Sequence, residues 1–336
     1  MSATVTVIIA TRNRVSNLLE TLDSFAHASL PADIQVELVI VDNGSSDKTR
    51  EAVLRCQMNG IVVRYVLESR PGKTWALNAG LGAAGGEIVL FTDDDVRVPP
   101  NWIERMARPL IDGEADVVVG GIRMAPSLER PWITDAHRTW LASFDGFEKF
   151  DRLGWRRATI GANMGISRHV TGSVPGFDTE LGPGQLGFGE ETLFSGQLIE
   201  AGYRIEFVEG AEVEHHFDPR RLSRESFLAA AKSHGRSNAY LCHHWSHDTV
   251  RWPRLKAIKT LLVLGWLRIR GGKPPAEGMD EREMGLRCFL HFCRQYLVES
   301  RIPRKYARLG LVKLKHNKEN IESDVGACAS HLGAST

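Results

Sequence analysis

The stretch Val89-Leu90-Phe91-Thr92-Asp93-Asp94-Asp95 joins four residues typical of a buried strand to three consecutive carboxylates. Aspartate is a poor strand former, and neighbouring carboxylates repel one another. In open α/β sheets, ligands bind at the carboxyl ends of the strands. A hard divalent cation, held by carboxylates together with substrate phosphates, fits this position. A solvated acidic turn, or an N-cap for a helix beginning near Pro99, is the alternative interpretation.

Strands and helices alternate on both sides of this stretch. Near-continuous apolar runs, typical of strands buried on both faces, occupy residues 5–10, 36–41, 61–67 and 87–92. Apolar residues recur with helical spacing over residues 15–28 and 74–84. This order predicts an α/β fold with a mostly parallel sheet and helices on both faces. Two further short strands are expected, at residues 205–208 and ending at residues 213–216.

Composition narrows the class of protein. The chain has 336 residues and five cysteines without a Cys-x-x-Cys pair, and no apolar run approaches the roughly 20 residues of a membrane span. The N-terminal residues lead directly into a strand and lack the features of a secretory signal. We therefore expect reduced thiols and a cytoplasmic protein. Peripheral contact with the inner face of the membrane stays an open alternative.

The C-terminal part of the chain is strongly basic. Residues 251–318 contain about 17 Lys and Arg against about 5 Asp and Glu. This asymmetry predicts peripheral contact with an anionic membrane, and no nucleic-acid partner is expected. A solvated helical face with long side chains is the alternative. The apolar residues 258–267 are too few to span a bilayer, so they lie in the interface or pack on the rest of the protein.

Residues 128–157 contain six Trp and Phe residues among charges. This aromatic stretch is either a substrate-facing insert or ordinary aromatic packing.

Seven short motifs occur in a characteristic order. They are VIIATRNR (7–14), VIVDNGSSD (39–47), ALNAG (76–80), DDD (93–95), GANM (161–164), GFD (176–178) and GEET (189–192), followed by His215. Together they resemble a family 2 glycosyltransferase over roughly residues 4–240. The resemblance implies the Rossmann-like GT-A fold for residues 1–242. Residues 243–336 then form a basic, helical C-terminal extension.

The resemblance also implies a nucleoside-diphosphate-sugar donor, with UDP favoured, and an acceptor hydroxyl of unknown identity. The residues expected to contact the donor are Thr11, Arg12, Asn13, Asp42, Arg70, Lys73, Asn78, Asp93 and Asp94. Asp42 would accept hydrogen bonds from the base and ribose, unless it only caps a turn. Arg70 and Lys73 would steady the diphosphate as positive charges, unless they are ordinary surface residues.

A divalent cation, Mn²⁺ or Mg²⁺, is the implied cofactor. Asp95 would be its main ligand, with Asp93 and His215 completing the site and His216 as the alternative histidine. The cation would bridge the two phosphates and offset the charge that develops as the nucleotide leaves.

Glu191 takes the position of the catalytic base. The family usually has Glu-Asp where this chain has Glu190-Glu191, so Glu190 is the second candidate. A carboxylate near like charges in a partly dry cleft should have a raised pKa. Alternatively, both residues only favour the helix dipole.

These expectations together predict an inverting, metal-dependent glycosyltransferase. A non-catalytic nucleotide-sugar binding or scaffold protein on the same fold is the alternative. A nucleotidylyltransferase is a third reading, but it would need a glycine-rich, basic N-terminal loop, and residues 11–14 contain no glycine.

Overall fold

The computed structural model describes residues 2–144, 159–270 and 275–315. Much of the aromatic stretch, residues 145–157, and the end of the basic stretch, residues 316–318, therefore lie outside the described residues. The described aromatic residues of that stretch are packed: Phe144 is buried, and Trp132 makes an edge contact with Phe227.

Eight strands form one sheet. They are β1 (Ala3–Thr11), β2 (Ile34–Asp42), β3 (Ile61–Leu67), β4 (Ile88–Asp93), β5 (Val96–Arg97), β6 (Val117–Met124), β7 (Asn163–Ser167) and β8 (Ile205–His215). The strand order is β3-β2-β1-β4-β7-β6-β8-β5. The first four of these strands are parallel, β7 is antiparallel to both neighbours, and β6 and β8 are parallel. The predicted α/β fold is confirmed, and its sheet is parallel in one half and mixed in the other.

The helices of the described residues follow the strands. They are α1 (Val15–Ala26), α2 (Thr49–Arg55), α3 (Lys73–Ala83), α4 (Trp102–Ile111), α5 (Asp135–Trp140), α6 (Glu190–Glu200), α7 (Arg224–His244), α8 (Pro253–Arg270) and α9 (Glu281–Glu299). Alternate residues of β1 enter two different apolar clusters, because both faces of the sheet are covered. Val7 packs with Leu18 and Phe25 of α1, whereas Ile8 packs with Leu77 of α3.

The sheet brings the predicted site residues to one edge. Thr11 is paired with Asp42, and Ala10 with Asp93, at the carboxyl ends of three adjacent parallel strands. From the other side, the antiparallel pair β5–β8 places His215 opposite Val96. The loops that follow β1, β2 and β4 therefore meet the end of β8.

β8 differs from the expectation of two short strands. It is one strand of 11 residues, whose register against β6 jumps between Gly120 and Ile122. Gly210, with φ of 75°, lies in the extra segment. A bulge of this kind interrupts the apolar pattern without ending the strand.

The C-terminal helices pack on one another and on the sheet domain. Helix α7 continues across residue 242, and a Cβ atom on its Gly235 would lie 2.3 Å from the carbonyl oxygen of Cys288 in α9. This close approach lets the two helices cross with their backbones in contact. None of the helices in the described ranges combines the length and hydropathy needed to cross a bilayer.

Candidate active site

Asp94 and Asp95 are buried directly after β4. The Thr11 hydroxyl donates to Asp94 at 2.7 Å, and Arg14 Nη1 lies 3.0 Å from Asp94 and 2.8 Å from Asp95. Burial and the neighbouring charge of Asp95 raise the pKa of Asp94 to about 6. Burial also opposes ionisation of Asp95, but the interactions with His215 and Arg14 outweigh it and lower the pKa of Asp95. Asp95 is thus held as a carboxylate, which is the form that binds metals.

Three side chains meet at a position suited to a divalent cation. Asp93, Asp95 and His215 each offer one ligand atom, and these atoms lie within 4.8 Å of one another. The Nδ1 atom of His215 is buried and has no hydrogen-bond partner among the described residues, and such an unpaired atom costs about 1–3 kcal/mol. Carboxylates suit Mg²⁺ and Mn²⁺, and histidine is the commonest metal ligand. The residues present therefore fit the implied cation.

His216, the alternative histidine, faces elsewhere. Its Nε2 atom lies 2.6 Å from Glu214 Oε1, and its backbone N–H donates to the carbonyl oxygen of Asp95. The structure therefore favours His215 over His216 in the cation site.

Lys73 connects the cation site with the candidate base. It begins α3, and its Nζ atom lies 2.6 Å from Asp93 Oδ1 and 3.8 Å from Glu191 Oε1. Burial disfavours the ammonium, but the charges of Asp93 and Glu191 outweigh it and raise the pKa of Lys73. Lys73 is therefore a permanent positive charge between two carboxylates.

Glu190 and Glu191 begin α6 and have different surroundings. Glu191 faces Lys73 and accepts a hydrogen bond from the backbone of Gly161, while Glu190 lies beneath it, against Gly182. Burial raises the pKa of Glu191. Burial and the charge of Glu191 raise the pKa of Glu190 to about 8. Of the two carboxylates, Glu191 is the one beside the cation site.

Asp42 lies at the end of β2, where base contact is predicted. Its Oδ1 atom accepts a hydrogen bond from the backbone N–H of Ser45 at 2.8 Å, and Oδ2 accepts one from the Tyr65 hydroxyl at 2.8 Å. Burial and the bond to Asp42 raise the pKa of Tyr65 to about 12. An ionised carboxylate has about four acceptor positions. Asp42 therefore keeps capacity for a ligand.

Asn43 organises the loop before α3, a role that the sequence analysis did not assign. Its Nδ2 atom donates to the carbonyl oxygens of Glu68 and Arg70, and its Oδ1 atom accepts from the backbone N–H of Gly72. The loop that ends at Lys73 is thereby fixed to the end of β2. The DNGSSD motif was the available signal.

The other predicted donor-contact residues have protein partners or are exposed. Arg70 forms a two-point ion pair with Glu68 and lies 3.9 Å from the centroid of the Trp75 ring. Arg12 is exposed, and the side-chain oxygen of Asn13 accepts a hydrogen bond from the backbone of Ser46.

Asn78 clamps the loop that follows β7. Its amide donates to the carbonyl oxygen of Phe177 at 2.8 Å and accepts from the backbone N–H of Phe177 at 2.9 Å. Donor contact by Arg12, Asn13, Arg70 and Asn78 stays a prediction.

Two arginines of the site were missed by the sequence analysis. Arg14 bridges Asp94 and Asp95. Arg221 lies 4.8 Å from the centroid of the Phe217 ring, and burial lowers its pKa although the charge of Asp95 acts in the opposite direction. The second arginine of TRNR was a usable signal for Arg14, whereas Arg221 reaches the site only through the turn after β8.

The C-terminal segment is tied to the loop before α6 through Asp178. The hydroxyl groups of Tyr240 and Tyr306 both donate to Asp178 Oδ2, at 2.7 and 2.8 Å. Lys313 Nζ lies 2.5 Å from Asp178 Oδ1, and Lys305 pairs with Glu180. Residues 305–313 therefore pack on the part of the chain that carries Glu190 and Glu191.

Comparison with known proteins agrees with this architecture. The family model described as Glycosyl transferase family 2 matches residues 6–173, half of the chain. Glycosyltransferase AglE of Haloferax volcanii is 24% identical over 272 residues, which are 81% of this chain and 82% of that protein. The glucosyl-dolichyl phosphate glucuronosyltransferase of the same organism is 25% identical over 183 residues, 54% of this chain and 58% of that protein.

A solved structure has the same fold. The mannosyltransferase PcManGT from Pyrobaculum calidifontis, in complex with GDP-Man and Mn²⁺, aligns with a TM-score of 0.51 and 19% identity, over 98% of this chain and 81% of that chain. The fold is therefore that of the GT-A glycosyltransferases. With the family model, these findings confirm the expected family and establish an enzyme, so the chain is a glycosyltransferase that belongs to family 2.

Proposed function

We propose that this enzyme transfers a sugar from a nucleoside diphosphate to an acceptor hydroxyl in one inverting displacement, with a divalent cation at Asp93, Asp95 and His215. The observation that carries the proposal is the contact series from Asp93 through Lys73 to Glu191, at 2.6 and 3.8 Å. It places a carboxylate suited to proton abstraction beside a site suited to a cation.

Donor binding is assigned to the carboxyl ends of β1, β2 and β4. Asp42 is the proposed acceptor of hydrogen bonds from the base and ribose, because its carboxylate is buried and keeps free acceptor positions. Arg14 and Arg221 are the proposed diphosphate contacts, because both guanidinium groups lie near the cation site. Such contacts position an anionic group and stabilise charge on it.

Mn²⁺ or Mg²⁺, when bound at the three ligands, would neutralise charge on the departing diphosphate. Lys73 adds a fixed positive charge on the same side, since it contacts Asp93. Its charge also favours the ionised form of Glu191 and thus counteracts the effect of burial on that residue.

Glu191 is the proposed general base. The acceptor O–H would give its proton to Glu191 while the acceptor oxygen attacks the anomeric carbon, and the bond from that carbon to the diphosphate breaks with its electron pair on the nucleotide. The raised pKa of Glu191 moves its basicity toward that of a base useful near neutral pH. The Gly161 backbone holds the carboxylate in position.

The proposal is tested by incubating the protein with UDP- and GDP-sugars, Mn²⁺ or EDTA, and a panel of hydroxyl acceptors, and by measuring nucleotide release and the anomeric configuration of the product. We expect acceptor-dependent release that requires the cation, and a product of inverted configuration. A product of retained configuration, or equal turnover in EDTA, would overturn the mechanism.

A further inference from the structure

We propose that α8 is an interfacial helix that docks the enzyme on an anionic lipid surface. The docking surface is the outward stripe Leu255, Ile258, Leu262, Trp266 and Ile269, together with the basic residues beside it. This inference does not depend on the mechanism of glycosyl transfer.

The inner face of α8 already has a protein partner. Ala257 and Thr260 are buried, and Ala257 packs with Leu290 and Cys293 of α9. Leu264 continues the same contact. These three inner residues follow one another at intervals of three and four, as one face of a helix requires.

The outer face carries large apolar side chains without a partner in the described part of the chain. Leu255, Ile258, Leu262, Trp266 and Ile269 recur at intervals of three and four, and they range from 46% exposed at Trp266 to 86% at Ile269. They lie on the side of the helix opposite Ala257 and Thr260. A continuous exposed apolar stripe of this kind marks an interaction surface, whereas single exposed apolar residues do not.

The charges beside the stripe have one sign. The six charged residues at positions 251–270 are all basic: Arg251, Arg254, Lys256, Lys259, Arg268 and Arg270. On the helix, Arg254 and Arg268 lie on one side of the stripe, and Lys256, Lys259 and Arg270 lie on the other. An apolar face bordered by Lys and Arg is the pattern of helices that lie in the headgroup region of anionic membranes.

Two tryptophans strengthen this assignment. Trp252, directly before the helix, is 70% exposed, and the Trp266 ring lies 4.3 Å from the Arg270 guanidinium. Tryptophan is enriched at membrane–water interfaces because one part of its ring system is apolar and the other donates a hydrogen bond.

A second copy of the chain is a poorer occupant of the stripe. A two-fold interface brings the same surface of each subunit together. The basic borders of the two stripes would then face each other, and like charges would oppose association. An anionic bilayer supplies both the apolar layer and the opposite charge.

Vesicle flotation tests the proposal with the full chain. The probes are vesicles of phosphatidylcholine alone and of phosphatidylcholine mixed with an equal amount of phosphatidylglycerol. We expect binding to the mixed vesicles at low salt, a loss of at least about tenfold in affinity at high salt, and little binding to phosphatidylcholine alone.

The matched variants are the double exchange Leu262→Ser with Ile269→Ser, and the control Leu54→Ser. Leu54 is 64% exposed on α2, outside the stripe. The double variant should lose at least about tenfold in vesicle affinity and keep its donor turnover, whereas the control should bind like the wild type. Brominated lipids should quench part of the tryptophan fluorescence of the wild type, and less of it in Trp266→Phe.

Three results would overturn the proposal. They are absence of wild-type binding to the mixed vesicles at low salt, equal binding by the double variant, and a dimer in solution that becomes a monomer only in the double variant. The last result would assign the stripe to a second copy of the chain.

Discussion

The Nε2 atom of His215 lies 3.3 Å from Oδ1 of Asp95, with both side chains almost fully buried. The contact follows from the sheet, because β5 pairs with the end of β8 immediately after the carboxylates. A histidine that is distant in the chain thus meets the acidic turn. This relationship is the structural basis for the proposed cation site.

Exchange of Glu191 for Gln should lower kcat by about 10²–10⁴-fold, because the amide keeps the shape of the side chain but cannot accept the proton. Donor affinity should stay near the wild-type value. Glu190→Gln is the matched control and should have the smaller effect, since Glu190 lies against Gly182. Steady-state kinetics with nucleotide titrations measure both variants. Full activity of Glu191→Gln beside an inactive Glu190→Gln would transfer the role to Glu190.

Gly161→Ala should reduce kcat about 10–100-fold while donor binding persists. A Cβ atom at this position would lie 2.2 Å from Glu191 Oε1, so the carboxylate would have to move. Gly172→Ala is the control, because its Cβ atom would have no heavy atom within 4 Å. Kinetic parameters for the two variants give the comparison. If both alanine variants turned over equally, the position of Glu191 would not limit catalysis.

The buried Glu190 should make stability depend on pH. Its pKa is raised to about 8 by burial and by Glu191, so the folded protein binds this proton more tightly than the unfolded chain does. Glu190 therefore contributes stability below the ordinary glutamate pKa, and this contribution is lost as the pH rises through about 8. Thermal unfolding between about pH 5 and about pH 9 should show Glu190→Gln gaining on the wild type as the pH rises. The exposed Glu200→Gln should follow the wild type. A difference between Glu190→Gln and wild type that did not change with pH would contradict this explanation.

Tyr306→Phe should destabilise the whole protein by about 1–3 kcal/mol, because it removes a hydrogen bond to the buried carboxylate of Asp178. The exposed Arg308→Ala is the control and should change the free energy of unfolding by less than about 0.5 kcal/mol. Denaturant unfolding measures both variants. An unchanged midpoint in Tyr306→Phe would mean that the C-terminal segment does not stabilise the sheet domain.

Local patterns predicted much of the fold and part of the site. Continuous apolar runs identify β1, β2 and β4, because strands buried on both faces need apolar residues at every position. The carboxylates after β4 could be assigned because few other arrangements place three acidic residues after a buried strand. Such features are readable since they lie within a few residues of one another.

The contacts that were missed join distant parts of the chain. Tyr306 and Lys313 bind Asp178, and Arg221 reaches the neighbourhood of Asp95, but no spacing in the sequence announces these pairs. The continuous β8 was also missed, because its bulge resembles the turn between two strands. Pairing of this kind depends on the assembled sheet and helices.

The central claim is that a divalent cation at Asp93, Asp95 and His215 binds the nucleotide diphosphate. Calorimetric titration of UDP and GDP, with Mn²⁺ and with EDTA, tests it in the wild type, in Asp95→Asn and in the control Asp23→Asn, whose side chain is 75% exposed. We predict that Mn²⁺ strengthens binding of at least one nucleotide by tenfold or more, or about 1.4 kcal/mol, in the wild type and the control. This gain should disappear in Asp95→Asn. Retention of the full Mn²⁺-dependent gain by Asp95→Asn would contradict the account.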